Sequence, residues 1–398
     1  MKRLRVLSIS TLFPSPQRPA FGKFVANQMA AVADRGDVDL TVFNPIGLPP
    51  WPLSLRQPHA TWNDNPAQSA FNGIAVHHPR FTSIPLIGGD SNPARIVRAV
   101  LPLARTLHAA APFDVIDAQF FFPDGPAAMA VADALGVPFS IKARGSDIHF
   151  WGARPKALAQ MLEAAHASAG MLAVSDALRG DMIRLGMVGD KITLHYTGLD
   201  HARFKPLPRA EARAALAELF GLRIPADAPL LLATGALIAI KGQALAIEAL
   251  RELDFAHLAL AGSGPDEPRL RELTTAMGLS DRVHFLGQVS HDALPTLIAA
   301  TDAMVLPSER EGLANAWVEA LACGTPLVIP DIGGGREVVG HADAGRIADR
   351  TPAAIAAALR DLLVNPPAAH TVATHAARFR WEANAAQLVD HWGTLANR

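Results

Sequence analysis

The chain has 398 residues, half of them hydrophobic and only 18% charged, so it is too long for one compact core and too apolar to be largely disordered. Its 36 basic and 37 acidic side chains leave a net charge of -1, which makes nucleic acid a poor expected partner. The single cysteine, Cys323, excludes an intrachain disulfide framework and a cysteine-rich metal site, and it fits a reducing compartment.

From the amino terminus, Met1, Lys2 and Arg3 lead into a short apolar run that reads as a first strand over 4–10. The run lacks the longer apolar region and small-residue cleavage site of a secretory signal. Next comes PAFGKFVANQMAAVADRG, 19–36, where Gly22 permits close backbone approach and the following helix offers its N-terminus to an anion. Further strands are expected at 40–44, 74–77, 115–118, 139–143, 172–175 and 192–196, then at 230–234, 258–261, 283–286, 303–306 and 327–329. They alternate with Ala-rich stretches of helical period, the pattern of parallel sheets flanked by helices. The segment 47–72, rich in Pro, Trp and Asn, reads as a long functional loop, and 205–229, with its four prolines, as a linker holding one short helix. Two domains are expected at 1–205 and 206–375, with a closing helix at 376–398 that packs back onto the first. No stretch of about 18 uncharged apolar residues appears, so no membrane span is expected.

The densest signal is LPSEREGLANAWVEALACGTPLVIPDIGGGREVVG, 306–340. A buried strand ends at Pro307, a polar loop carries Glu309, Arg310 and Glu311, and a helix is expected to start near Asn315 as its N-cap and to stop before Gly324. If Glu311 and Glu319 shared one helix, eight steps would separate them by about 12 Å along the axis and about 80° around it. An extended ligand such as a nucleotide sugar would reach both carboxylates and set its diphosphate against the helix N-terminus. The pair taken alone is better explained as a solvated loop residue and one of many surface helix glutamates. In TGALIAIKG, 234–242, a strand runs into a glycine turn and Lys241 can neutralise a diphosphate. In IKARGSDIHFW, 141–151, a strand runs into a turn bearing Arg144, Asp147 and His149. Neither Gly-rich stretch, 262–264 or 333–335, completes a dinucleotide fingerprint.

With its flanks, 306–340 resembles the retaining glycosyltransferases of the family-four group through Glu311, Gly312, Asn315, Glu319, Ala320, Ala322, Cys323, Gly324 and Pro326. The resemblance extends from the entrance at Gly22 to the closing helix and implies an α/β GT-B fold, two Rossmann-like αβα domains facing a central cleft that closes about segments near Lys205 and Arg378. It implies that Glu319 holds the donor's ribose, Glu311 its hexose and Lys241 its diphosphate, and that Arg144 faces the sugar and leaving group. Gly22, Gly235, Gly312, Leu313, Ala314, Asn315, Gly287 and Val289 would complete the donor site, with Asp147 and His149 as secondary candidates. The family places an arginine where this chain has Ala236, and Arg310 and Arg336 are the residues near enough in sequence to replace its charge. The implied function is hexose transfer with retained anomeric configuration from a nucleotide sugar to a glycan, lipid-linked or small-molecule acceptor. Cell-surface polysaccharide or glycoconjugate synthesis is the implied setting, in the cytoplasm or peripherally at the inner face of the membrane. No metal or other cofactor is implied. Two alternatives remain beside it: a donor-binding scaffold weakened at Ala236, and a sugar-nucleotide epimerase on the same fold.

Overall fold

The computed structural model describes residues 3–57, 59–84 and 88–397, so Met1, Lys2, Pro58, Pro85, Leu86, Ile87 and Arg398 of the segments read above lie outside the described residues. The chain divides into two units, one built from 1–198 together with 381–398 and one from 199–380.

The first unit contains β1 (Leu4–Ile9), β2 (Val38–Phe43), β3 (Ile46–Leu48), β4 (Gln68–Phe71), β5 (Ile74–His77), β6 (Arg80–Thr82), β7 (Val115–Ala118), β8 (Phe139–Ala143), β9 (Gly170–Ala173) and β10 (Ile192–Leu194). Eight of these make one sheet in the order β10-β9-β8-β7-β1-β2-β5-β4, parallel except where β4 turns back on β5, while β3 and β6 form a separate parallel pair. Every residue of β7, β8 and β9 is buried, as expected of central parallel strands covered on both faces. The helix Trp381–Ala396 belongs here: Ala385, Leu388, Trp392 and Leu395 recur every three to four residues, form one buried stripe, and join the core beside helix Lys23–Asp34.

The second unit holds β11 (Leu230–Thr234), β12 (His257–Ala261), β13 (Val283–Gly287), β14 (Ala303–Val305), β15 (Leu327–Ile329) and β16 (Gly345–Ile347), all parallel in the order β13-β12-β11-β14-β15-β16. Strand order reverses between β11 and β14. A crevice opens outside the carboxyl ends of the strands at such a point, because the loops after the two strands leave toward opposite faces.

Several expectations need correction. The stretch 47–72 is not structureless, since it carries a helical turn at Leu53–Leu55, a short helix at His59–Asn63 and the edge strand β4. The region read as a linker holds helix Arg209–Phe220, which is fastened into the second unit by Arg209 and Arg213 on Asp302, at 2.7 and 2.6 Å. The units meet at 198/199, not 205/206, and the chain re-enters the first unit at Trp381, not 376.

Candidate functional site

In the second unit the loops after β11, β12, β13 and β14 gather at the carboxyl edge of the sheet, and backbone contacts too close for side chains hold them there. Gly262 lies so near the Gly235 carbonyl that a Cβ would sit 1.8 Å from it, and the Gly262 N–H donates to the Gly287 carbonyl at 2.7 Å. Gly242 meets the Pro307 carbonyl in the same way, and the Glu309 N–H donates to the Ile240 carbonyl at 2.7 Å. The buried amide of Gln243 closes the first loop on the Ala236 carbonyl. These ties set Lys241, on a helical turn after β11, opposite Glu311, in the loop after β14: Nζ lies 2.5 Å from Oε1, and the two side chains are 28% and 14% exposed. The cation and one carboxylate therefore face each other across the point of strand reversal.

Glu311 is held from behind by the glycine run at 333–335. Gly333, at φ +46°, approaches the Glu311 and Gly312 carbonyls too closely for any side chain, and the Gly334 N–H donates to the Gly312 carbonyl at 2.7 Å. The helix that follows runs Asn315–Ala322, capped by Ala314 and not by Asn315. Glu311 precedes it by four residues, so the projection that placed both glutamates on one helix does not apply. Glu319 stands within the helix, half-buried, its carboxyl without a hydrogen-bond partner among the described residues. Burial pushes its carboxyl up to about 7. Leu313 is core at 8% exposure, Ala314 and Asn315 form the helix start, and Val289 follows Gly287 beyond β13.

Each arginine near the motif is paired with a carboxylate of its own segment. Arg310 lies against Glu309 at 3.4 Å, and Arg336 grips Asp331 through two nitrogens at 2.7 and 2.8 Å on the exposed surface. A third arginine, not anticipated from sequence, borders the same loops: Arg350 Nε donates to the Pro307 carbonyl at 3.0 Å, which touches Gly242 beside Lys241.

In the first unit the strand order reverses between β1 and β7, and Arg144, at the end of β8, reaches back to that point. Its Nε donates to the Gln119 carbonyl at 2.8 Å and its Nη2 to the Gln119 side-chain oxygen, with Gln28 Oε1 at 3.4 Å and the Phe24 ring beneath. Burial lowers its pKa to about 10, well above neutrality, so the guanidinium stays charged. Gly22, left-handed at φ +66°, caps helix Lys23–Asp34 and lies against the Leu12 backbone with no room for a Cβ. Asp147 is not a ligand-facing group. It is fully buried and accepts the N–H groups of Phe121, Arg144, Gly145 and Ile148, which makes it the fastener of the loop that carries Arg144. His149 is paired through Nε2 with Asp181 at 2.8 Å. Reading the sequence missed the polar groups beneath Arg144, namely Gln28, Asp117, Gln119, Lys142 and His195, all buried. The one available signal was charge inside otherwise apolar strands, at Asp117 and Lys142.

Among the described residues no helix is long and apolar enough to cross a membrane. The family model described as Glycosyl transferases group 1 matches residues 217–383, and that described as Glycosyltransferase Family 4 matches 22–203. Among curated relatives, the chain is 28% identical over 338 residues to TuaC of Bacillus subtilis, a glycosyltransferase assigned to teichuronic acid biosynthesis, covering 83% of this chain and 82% of that protein. It is 32% identical over 216 residues to the alpha-D-kanosaminyltransferase of Streptomyces kanamyceticus, over 53% of this chain and 55% of that one. Against the GDP-mannose-dependent phosphatidylinositol monomannoside mannosyltransferase of Mycobacterium tuberculosis it is 32% identical over 221 residues, again spanning little more than half of the relative, at 51% and 56%. Among solved structures it superposes on sucrose-phosphate synthase of Thermosynechococcus elongatus with a TM-score of 0.79 at 20% identity, covering 99% of both chains. It superposes on HepE of Anabaena in complex with UDP-glucose at 0.73 and 20% identity, covering 99% and 100%.

Proposed function

We propose that this chain, which belongs to the family 4 glycosyltransferases and has their two-domain GT-B fold, transfers a hexose-type sugar from a nucleoside diphosphate donor with retention of anomeric configuration. The observation that carries the reading is Lys241 set against Glu311 where the second sheet reverses, with Glu319 half-buried and its carboxyl unpartnered among the described residues on the next helix. A nucleotide sugar answers each group in turn. Ribose hydroxyls donate to Glu319, the diphosphate draws Lys241 away from Glu311, and the hexose hydroxyls take up the carboxylate that is released.

The chemistry follows from that placement. As the bond from the anomeric carbon to the β-phosphate oxygen breaks, the charge that develops on the diphosphate meets Lys241 and the N–H groups of the glycine turns. The departing oxygen takes the proton of the acceptor hydroxyl while the acceptor oxygen bonds to the anomeric carbon from the same face. The products are a glycoside and a nucleoside diphosphate. No protein nucleophile and no divalent metal enter this route; Glu311 orients the hexose and balances its growing positive charge. A glycan or lipid-linked acceptor in polysaccharide or glycolipid synthesis, met on the cytoplasmic side with peripheral membrane contact, is the setting that fits relatives such as the one assigned to teichuronic acid.

Thermal shift with UDP-, GDP- and ADP-hexoses tests the donor class, because a ligand that binds only the native state raises its stability with the logarithm of its excess. One donor should raise the melting temperature. Lys241→Ala should weaken that donor about 10- to 100-fold, the loss of a charge-assisted phosphate contact of about 1.5–3 kcal/mol. A full panel without a shift, or an unchanged affinity in Lys241→Ala, would refute the reading. A second reading, favoured by Ala236, is a donor-binding protein with little turnover; it predicts the thermal shift but no release of nucleoside diphosphate with any acceptor.

A further inference from the structure

Beneath Arg144 the first unit buries a continuous hydrogen-bonded network, and its polarity is fixed at both ends by groups that can act in only one direction. At one end Trp392 Nε1, a donor only, points at Asp117 Oδ1 at 3.1 Å. Asp117 also accepts from Ser8 Oγ at 3.0 Å and from Gln119 Nε2 at 2.6 Å. An ionised Asp117 accepts from the Gln119 nitrogen and leaves the Gln119 oxygen for Arg144. At the other end the Asn384 carbonyl, an acceptor only, lies 2.9 Å from His195 Nε2, so that nitrogen carries the proton and Nδ1 is left to accept from Lys142 Nζ at 2.7 Å. Lys142 Nζ donates to Gln28 Oε1 at 2.8 Å, and Gln28 Nε2 donates to Gln119 Oε1 at 3.1 Å. Both routes reach the same conclusion about Gln119, and both begin on helix Trp381–Ala396.

We propose that Gln119 and Asp117 are positioning residues for Arg144, and that the returning C-terminal helix, through the Trp392 indole and the Asn384 carbonyl, dictates the amide orientation that holds the guanidinium. The role of Arg144 toward the sugar rests on the function proposed above; the orientation of its side chain does not. Arg144 is gripped by Gln119 through Nε and Nη2, while Nη1 has no hydrogen-bond partner among the described residues and is left for a ligand. Were the Gln119 amide reversed, its NH2 would face the guanidinium, two donors would oppose each other, and the fork would lose its fixed aim.

Asp117→Asn is the test, since it keeps the shape and removes the acceptor-only rule. Gln119→Met, which keeps length but no polarity, serves if the first variant does not fold. Two measurements are made on the full chain. The first is the solvent exchange of the Arg144 Nη2 protons, which point at the Gln119 side-chain oxygen, followed by NMR on nitrogen-15-labelled protein; it should be slow in wild type and accelerate about tenfold or more in either variant. The second is release of nucleoside diphosphate from whichever of UDP-, GDP- or ADP-glucose the wild type turns over. There kcat should fall about tenfold with KM for the donor within about twofold, and the same substitution placed on Arg144→Ala should cause no further loss. Unchanged exchange in both variants, or losses that multiply in the double variant, overturn the proposal. If Arg144→Ala alone leaves turnover intact, the assignment of Arg144 to the sugar falls, and the exchange measurement still decides whether the network positions it.

Discussion

Glu319 is half-buried on the helix Asn315–Ala322, its carboxyl without a hydrogen-bond partner among the described residues, and burial raises that carboxyl from 4.5 to about 7. Between those values the folded chain holds a proton that the unfolded chain has released. The stability associated with that proton is complete below about pH 4.5 and is lost as pH rises through about 7, the reverse of a salt-bridged carboxylate. At about 1.4 kcal/mol per pKa unit the full effect is at most about 3.5 kcal/mol, and partial exposure reduces it. Glu319→Gln should therefore match wild type in denaturation midpoint near pH 4.5 and exceed it near pH 8, while binding a nucleotide sugar more weakly. An equal gap at both pH values would mean that the carboxyl is ionised throughout. A side chain that costs stability at working pH is what a ribose-binding role predicts, because ribose hydroxyls supply the hydrogen bonds that the free protein lacks. The same logic makes donor binding release a proton near neutrality and strengthen as pH rises from 6 to 8.

The helix Trp381–Ala396 shows how elements far apart in sequence complete a unit. Trp392 is fully buried and donates to buried Asp117, so Trp392→Ala removes a large core side chain and leaves a buried carboxylate short of a donor. A loss of about 3–5 kcal/mol is expected, measured by chemical denaturation, whereas Trp392→Phe should cost less because the ring volume is largely kept. That this helix closes onto the first half was legible in the sequence from its resemblance alone. The strands of the second unit were legible as well, because Leu230–Thr234 and its neighbours are unbroken apolar runs bounded by glycine. The strand Gly345–Ile347 was not, since three residues with a central arginine carry no period, and Gln68–Phe71 was lost because at a sheet edge it buries no residue fully and shows no apolar alternation. At the site, Lys241, Glu311 and Glu319 could be named from spacing and resemblance, but the contact between Lys241 and Glu311 comes from glycine backbones that meet in space. The groups under Arg144 were invisible for the opposite reason: Lys142 lies in a strand whose other residues are all buried, and local sequence does not say where an inward-pointing ammonium finds its acceptors.

Across the whole molecule the two units differ in how the chain builds them. The second is one continuous stretch, 199–380, whereas the first needs 1–198 and 381–398 together. Every group assigned here to the donor's ribose and diphosphate belongs to the continuous unit, whose six-stranded parallel sheet buries its own core of Leu230, Leu232, Leu258, Leu260, Met304 and Val328. Its linker-like start, helix Arg209–Phe220, is anchored on Asp302 within that same unit, so cutting at 199 severs none of these contacts. The fragment 199–380 should therefore fold cooperatively by itself and retain nucleoside diphosphate binding, measured by calorimetry. Lys241→Ala should weaken it by the same factor as in the full chain. The complementary fragment 1–198 should be unstable alone, because without Trp392 and the Asn384 carbonyl it exposes the apolar stripe beside helix Lys23–Asp34 and leaves Asp117 and His195 each short of one partner. Adding a peptide of 381–398 should restore its melting transition. A folded 199–380 that fails to bind the nucleotide held by the full chain would place the donor's phosphates outside this unit and remove Lys241 and Glu319 from the site.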